Sequence, residues 1–172
     1  MASYHDAITE TQAELIRQTP VFFVATVDPA MATGPRDIGP INVSPKGGAP
    51  LVILDPRRVA YLDFPGSGNE TARHSASGSP VTVMVCSFDA DAAIVRLYGR
   101  ARFTPVAESP LARRLLGDDF DPRASRQIVE IEIERTMTSC GYGVPVMKLV
   151  RQRRVADRGR RYKEPAPAAA MS

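Results

Sequence analysis

Apolar residues in this chain come in short clusters separated by turn formers, and most clusters have strand character. Residues 21–27 (VFFVATV) and 80–88 (PVTVMVCSF) are dense in β-formers and lack helix caps, so each predicts a buried strand. Residues 127–135 (QIVEIEIER) alternate with period two. Ile131 and Ile133 fall on one side, and Glu130, Glu132 and Glu134 on the other, which predicts a strand with one wet face. Residues 38–44, 51–54, 58–63 and 93–104 predict further strands. Pro40 suggests an edge or irregular entry to the first of these, and Gly99 a bulge or close backbone approach in the last. Three segments read as helices: 8–18, with Thr9 and Gln12 spaced as a capping pair and Pro20 as a stop; 68–76, with Gly78 at its exit; and 109–116. Residues 28–36, 46–50, 55–56, 89–91 and 118–122 read as turns or breaks. Short strands joined by tight turns predict an antiparallel meander, not βαβ units. The expected class is mainly β: a small β-barrel of six or seven strands with two or three short helical plugs.

Composition adds bounds. With 172 residues, 44% hydrophobic and 24% charged, the chain reads as one globular domain over 1–147 followed by a basic tail over 148–172, its Ala/Pro end expected to be disordered. The net charge of +3 is unevenly spread. Residues 148–164 hold eight Lys/Arg and two Asp/Glu, a local +6, so the remainder carries −3. No basic patch or aromatic platform accompanies the tail in the body, so nucleic acid is not an expected partner. No apolar run approaches the roughly 20 residues of a membrane span, and residues 1–12 are too polar for a signal peptide. Cys86 and Cys140 stand far apart without a CxxC pattern, which fits a reducing, cytoplasmic compartment. With two His and two Cys in the chain, no Cys/His metal site is expected.

Two stretches could carry chemistry. Gly66-Ser67-Gly68-Asn69-Glu70-Thr71 is a glycine-rich turn opening a helix. Ser67 and Glu70 have the spacing of a helix capping box, which alone would explain both. The flanking glycines also let a backbone approach a ligand closely, and Ser67, Asn69 and Thr71 could donate to a phosphate. Both readings stay open. Asn42-Val43-Ser44-Pro45-Lys46-Gly47 ends a strand in a polar cluster with one cation. Lys46 is either a solvated turn lysine or a fixed cation beside an anionic or redox-active ring. Arg96, Tyr98 and Arg100 share one face of a strand, either solvated or against a flat ligand. Arg73 and His74 follow the glycine turn, and His74 reads as a surface residue rather than a base. Cys140 has no His or acid partner nearby in sequence, so a thiol nucleophile is not expected.

In order and spacing, INVSPKG (41–47), VAYLDFPGSGNET (59–71), the apolar strand 81–88, VRLYGRA (95–101) and SCGYGVP (139–145) resemble the pyridoxamine 5′-phosphate oxidase-like family, the FMN-binding split β-barrels. The resemblance covers roughly residues 22–145. It implies an antiparallel split β-barrel of the FMN-binding type, forming a homodimer with cofactor at the interface. It also implies a cofactor site drawn from Asn42, Val43, Ser44 and Lys46 along the flavin ring. Tyr61, Leu62 and Asp63, and then Ser67, Asn69, Thr71 and Arg73, would lie along the ribityl chain and phosphate. Two departures stand out. The oxidase carries an Arg-Lys pair where this chain has Gly68 and Asn69, so either a phosphate cation would come from Arg73, Lys46 or a tail arginine of the other subunit, or FMN would bind more weakly. The oxidase's tail tryptophan is also absent, which argues against pyridoxamine oxidation itself. The implied function is an FMN-dependent oxidoreductase acting on a small molecule. The alternatives are an oxidoreductase using a deazaflavin (F420), a flavin carrier or sensor without turnover, and, ranked below these, a haem-binding relative with His74 as the candidate ligand.

Overall fold

The computed structural model describes residues 2–32, 39–66, 69–117, 126–153 and 157. Their element order is β1 (Ser3–His5), α1 (Glu10–Gln18), β2 (Val21–Val27), β3 (Ile41–Gly47), β4 (Val52–Asp55), β5 (Arg58–Asp63), α2 (Glu70–Ala76), β6 (Val81–Cys86), β7 (Ala93–Pro105), α3 (Ala112–Leu116) and β8 (Gln127–Cys140). The strands form one eight-stranded sheet in the order β3-β2-β6-β7-β8-β5-β4, with β1 added beside β8. Every pairing is antiparallel. The sheet curls but does not close: β3 and β4 are its two ends, which is the architecture of a split β-barrel.

Period-two alternation builds the core. Phe22, Val24, Val83, Val85, Val95, Leu97, Val129, Ile131 and Ile133 point inward and are almost wholly buried. Each such side chain contributes about 1.5–3 kcal/mol through loss of contact with water. Helix α1 adds Ala13 and Ile16 to this cluster. Its start is capped as its sequence predicts: Gln12 N donates to Thr9 Oγ1 at 3.3 Å and Thr9 N to Gln12 Oε1 at 3.0 Å. A second cluster forms on the opposite face of β5 and β8, where Leu62 and Ile128 meet Val106 and Ala112 beneath α3. Gly99 sits at a register shift in the β7–β8 ladder, where a Cβ would lie 1.9 Å from the Glu132 carbonyl oxygen. The bulge read from that glycine is therefore a steric requirement.

Several boundaries differ from the sequence reading. Strand β3 continues through Pro45, Lys46 and Gly47, where a turn is expected, and pairs with β2 to its end. Proline is tolerated there because β3 is an edge strand and need not donate from every residue. Helix α2 begins at Glu70, two residues later than expected, with Asn69 as its N-cap and no side-chain capping bond from it. Strand β8 runs five residues beyond the expected end, to Cys140, because β7 continues beside it to Ala93. The polar N-terminus forms β1 against β8. Helix α3 is shorter than expected, with a 3-10 turn over Val106–Glu108 ahead of it. Ser67, Gly68 and the expected break at 118–122 lie outside the described residues.

Candidate functional site

Strand β3 alternates strictly between exposed and half-buried positions. Asn42, Ser44 and Lys46 face the barrel interior beside Thr26, Val24 and Phe22 of β2, while Ile41 and Val43 face outward. Across the mouth stand Tyr61 and Asp63 of β5, Gln127 at the start of β8 and the first turn of α2. Asn42 Nδ2 donates to Thr71 Oγ1 at 3.0 Å and to Ser44 Oγ at 3.2 Å. Lys46 Nζ donates to Asp63 Oδ1 at 2.9 Å. Gln127 Nε2 donates to Asp63 Oδ2 at 2.9 Å and to Asn69 Oδ1 at 3.3 Å. These contacts trace a belt around the mouth of the barrel: Lys46, Asp63, Gln127 and Asn69, then along α2 to Thr71, Asn42 and Ser44.

Aromatic side chains lie inside the belt. Lys46 Nζ is 5.8 Å from the centre of the Tyr61 ring, and Phe22 meets that ring edge-on at 5.3 Å. The Tyr61 hydroxyl is buried and has no hydrogen-bond partner. Burial, and secondarily the Asp63 carboxylate, push the phenol's pKa up, so it stays a neutral potential donor. Beside the Lys46–Asp63 pair, among Phe22, Gly47 and Phe64, lies a cavity of about 190 Å³. Larger cavities, of about 520 Å³ beside β4 and about 340 Å³ between α1 and residues 147–150, do not gather the polar residues of β3, β5 and α2.

Asp63 is the electrostatic centre of the belt. Its side chain is 8% exposed and contacts two cations, Lys46 and Arg126, whose Nε lies 3.5 Å from Oδ2. Arg126 Nη2 also donates to the Phe64 carbonyl at 3.1 Å, and its backbone N donates to Asp63 O at 2.9 Å. One carboxylate thus faces two cations.

Of the residues the sequence points to, Asn42, Ser44, Lys46, Tyr61, Asp63, Asn69 and Thr71 converge on the belt. Val43 is exposed on the outer face, and the Leu62 side chain packs into the second hydrophobic cluster. Arg73 is exposed, on the side of α2 away from Thr71. His74 is not the surface residue expected: it is buried, with Nδ1 3.0 Å from Thr26 Oγ1, and fastens α2 to β2. Arg96 and Tyr98 face the other side of the sheet, where Arg96 Nη1 donates to Ser139 Oγ at 3.0 Å. Gln127 and Arg126 were missed because no local motif marks them. The Asp63↔Gln127 register of β5 with β8 brings them to the site. Among the described residues no group of three or more His, Cys, Asp or Glu side chains could hold a metal, and no helix is long and apolar enough to cross a membrane.

An open antiparallel barrel with a polar belt at its mouth defines the class as a split β-barrel. Comparison with known proteins agrees. The chain is 30% identical over 159 residues to the pyridoxamine 5′-phosphate oxidase family protein ustO of Aspergillus flavus. That match takes in 87% of this chain but only 58% of the fungal protein's length. The crystal structure of a pyridoxamine 5′-phosphate oxidase-like protein of Lactobacillus delbrueckii superposes with a TM-score of 0.57 at 23% identity, over 77% of this chain and 94% of that one. HupZ of Group A Streptococcus superposes with a TM-score of 0.56 at 19% identity, over 75% and 91%. At such identities these two likenesses speak for the fold alone. No family model matches the chain. In sequence and fold together, the chain is similar to proteins of the pyridoxamine 5′-phosphate oxidase-like family.

Proposed function

We propose that this protein is an FMN-dependent oxidoreductase acting on a small molecule, with the flavin seated at the polar belt. The observation that carries the reading is the belt itself: neutral donors and acceptors from Asn42, Ser44 and Thr71 at one end, the covered Lys46–Asp63–Arg126 cluster at the other, and a buried aromatic floor between them. The residues fit a flat ligand with a polar edge and an anionic tail. The unpartnered Tyr61 hydroxyl is the kind of buried group that a ligand satisfies.

When bound, the flavin would supply reversible two-electron redox chemistry. The protein's part is binding, orientation and electrostatics. Asn42 and Ser44 would donate to the ring's polar edge from an edge strand held straight by its pairing with β2. Lys46, held by Asp63, would stabilise negative charge near the ring. Phe22 and Tyr61 would exclude water from beneath it. No side chain in the belt is assigned as acid or base.

We further infer a homodimer with the cofactor at its interface, through the outer face of β2, β3 and β6. Ile41 and Val43 are exposed there beside Phe23 and Met84. An absorbance titration of the purified protein with FMN, and in parallel with F420, tests the reading. Saturable FMN binding, followed by reduction of bound FMN with NADH or NADPH, supports it. Preference for F420 would reassign the cofactor. FMN binding without turnover under any donor would indicate a carrier. Binding of neither would remove the oxidoreductase reading.

A further inference from the structure

We propose that His74 is a positioning residue for the flavin site, holding α2 so that Thr71 stays at the belt; the proposal rests on the flavin reading above. Helix α2 spans seven residues, and helices that short are marginal on their own in water. What fixes it must come from the barrel. Its segment, Glu70–Ala76, contains no large apolar side chain. Its two buried residues are Thr71 and His74, about one turn apart on the same face, and both are polar. Apolar burial therefore cannot set the place of this helix, and directional hydrogen bonds do.

Those bonds close a frame. His74 Nδ1 lies 3.0 Å from Thr26 Oγ1, and Asn42 Nδ2 donates to Thr71 Oγ1 at 3.0 Å. Thr26 and Asn42 are direct register partners of β2 and β3. One turn of α2 and one rung of the sheet are thus joined at both corners by side-chain bonds. Thr71 and Asn42 belong to the proposed flavin contacts, whereas His74 and Thr26 do not. The exit of the helix is tied down separately: Ser79 N donates to His74 O at 3.0 Å, and Ser79 Oγ accepts from Val27 N at 3.3 Å. A helix held at its exit but released at His74 is free to swing, and its start carries both Asn69 and Thr71 of the belt. A hydrogen-bonded imidazole fixes orientation, where an apolar side chain of similar size would fix only burial.

The test is an FMN titration of wild type, His74→Leu, His74→Asn, Thr26→Val, Thr71→Ala and the double variant of His74→Leu with Thr71→Ala. Each titration is made well below that protein's thermal midpoint, so that loss of fold is not counted as loss of binding. His74→Leu is expected to weaken FMN binding about three- to thirtyfold, the range for residues that act on a site without touching the ligand. Thr26→Val keeps the threonine's shape and removes only the hydroxyl, so it should give a similar loss, and it tests the same bond if His74→Leu does not fold. His74→Asn, which carries a hydrogen-bonding atom on Cγ where histidine carries Nδ1, should recover part of the affinity. In the Thr71→Ala background the further loss from His74→Leu should fall below about twofold, because the contact that His74 positions is already gone. Unchanged FMN binding in His74→Leu or Thr26→Val would overturn the proposal and leave the flavin site standing. A loss that is undiminished in the Thr71→Ala background, or not recovered at all by His74→Asn, would make His74 a structural residue and overturn it as well. Wild type without saturable FMN binding would sink the flavin reading and the proposal with it.

Discussion

Two regions of this barrel hold arginine or lysine against carboxylates, and they behave differently. On the outer face of β5, β8 and β7, Arg58, Arg100 and Arg102 alternate with Glu130, Glu132 and Glu134 along paired register positions. Arg102 meets Glu130 at 2.9 Å, Arg100 meets Glu134 at 3.2 Å and Arg58 meets Asp55 at 2.7 Å. The arginines of this ladder are more than half exposed, and the charges nearly cancel. At the belt, Lys46 and Arg126 are mostly covered, and the carboxylate between them is buried. An exposed, balanced ladder keeps a sheet face wet and contributes little to stability. The covered node sits beside an unpartnered phenol and a cavity, the combination on which the proposed flavin site rests.

Substitutions sharpen the contrast. The largest effect is expected from Asp63→Ala, which leaves two cations facing each other in a covered site: about 3 kcal/mol lost in urea unfolding at neutral pH. Gly99→Ala, which places a Cβ against the Glu132 backbone and disturbs the ladder's register, is expected to cost about 2–3 kcal/mol on the same scale. Tyr61→Phe should act in the opposite direction. Without ligand it removes a buried, unsatisfied hydroxyl and should stabilise the fold by about 1 kcal/mol, while weakening flavin binding. A loss of stability in Tyr61→Phe would mean the hydroxyl has a partner in solution. Glu134→Gln, in the ladder, should change stability by less than about 0.5 kcal/mol and leave flavin affinity unaltered.

The ladder also has the simpler acid response. The Arg58 side chain, and then the Arg57 amide, hold the Asp55 carboxyl below its ordinary range. Its stabilising contribution is therefore complete above the ordinary carboxylate range and is lost as pH falls through the lowered value. Because the pair is exposed, Asp55→Asn should barely move the midpoint of acid unfolding.

The sequence made the ladder more legible than the belt. Alternating Ile and Glu in residues 127–135 gave the strand, its buried face and its wet face, since that pattern is local. Strands β2 and β5 were legible to the residue for the same reason. The Lys46 end of β3 was not. Pro45, Lys46 and Gly47 use turn vocabulary, and only the edge position lets a proline remain in the strand. The start of α2 was misplaced because a serine between glycines with a glutamate three residues on looks like a capping box, whereas the helix begins after Asn69. Asn42, Ser44, Lys46, Asp63 and Thr71 were readable as candidates through motif resemblance. Arg126 and Gln127 were not, because they reach Asp63 through a pairing that joins positions more than sixty residues apart. His74 was misjudged because nothing nearby in sequence reports that Thr26 waits for it across the barrel.

The proposed flavin site places the cofactor at the belt and not at the ladder. The most direct measurement is an equilibrium FMN titration, read by quenching of flavin fluorescence, of wild type, Lys46→Ala in the belt and Arg100→Ala in the ladder. Saturable binding by wild type, unchanged binding by Arg100→Ala, and weakening of about tenfold or more by Lys46→Ala are expected of a flavin at the belt. Equal affinities in all three proteins, or no saturable binding by wild type, would contradict it.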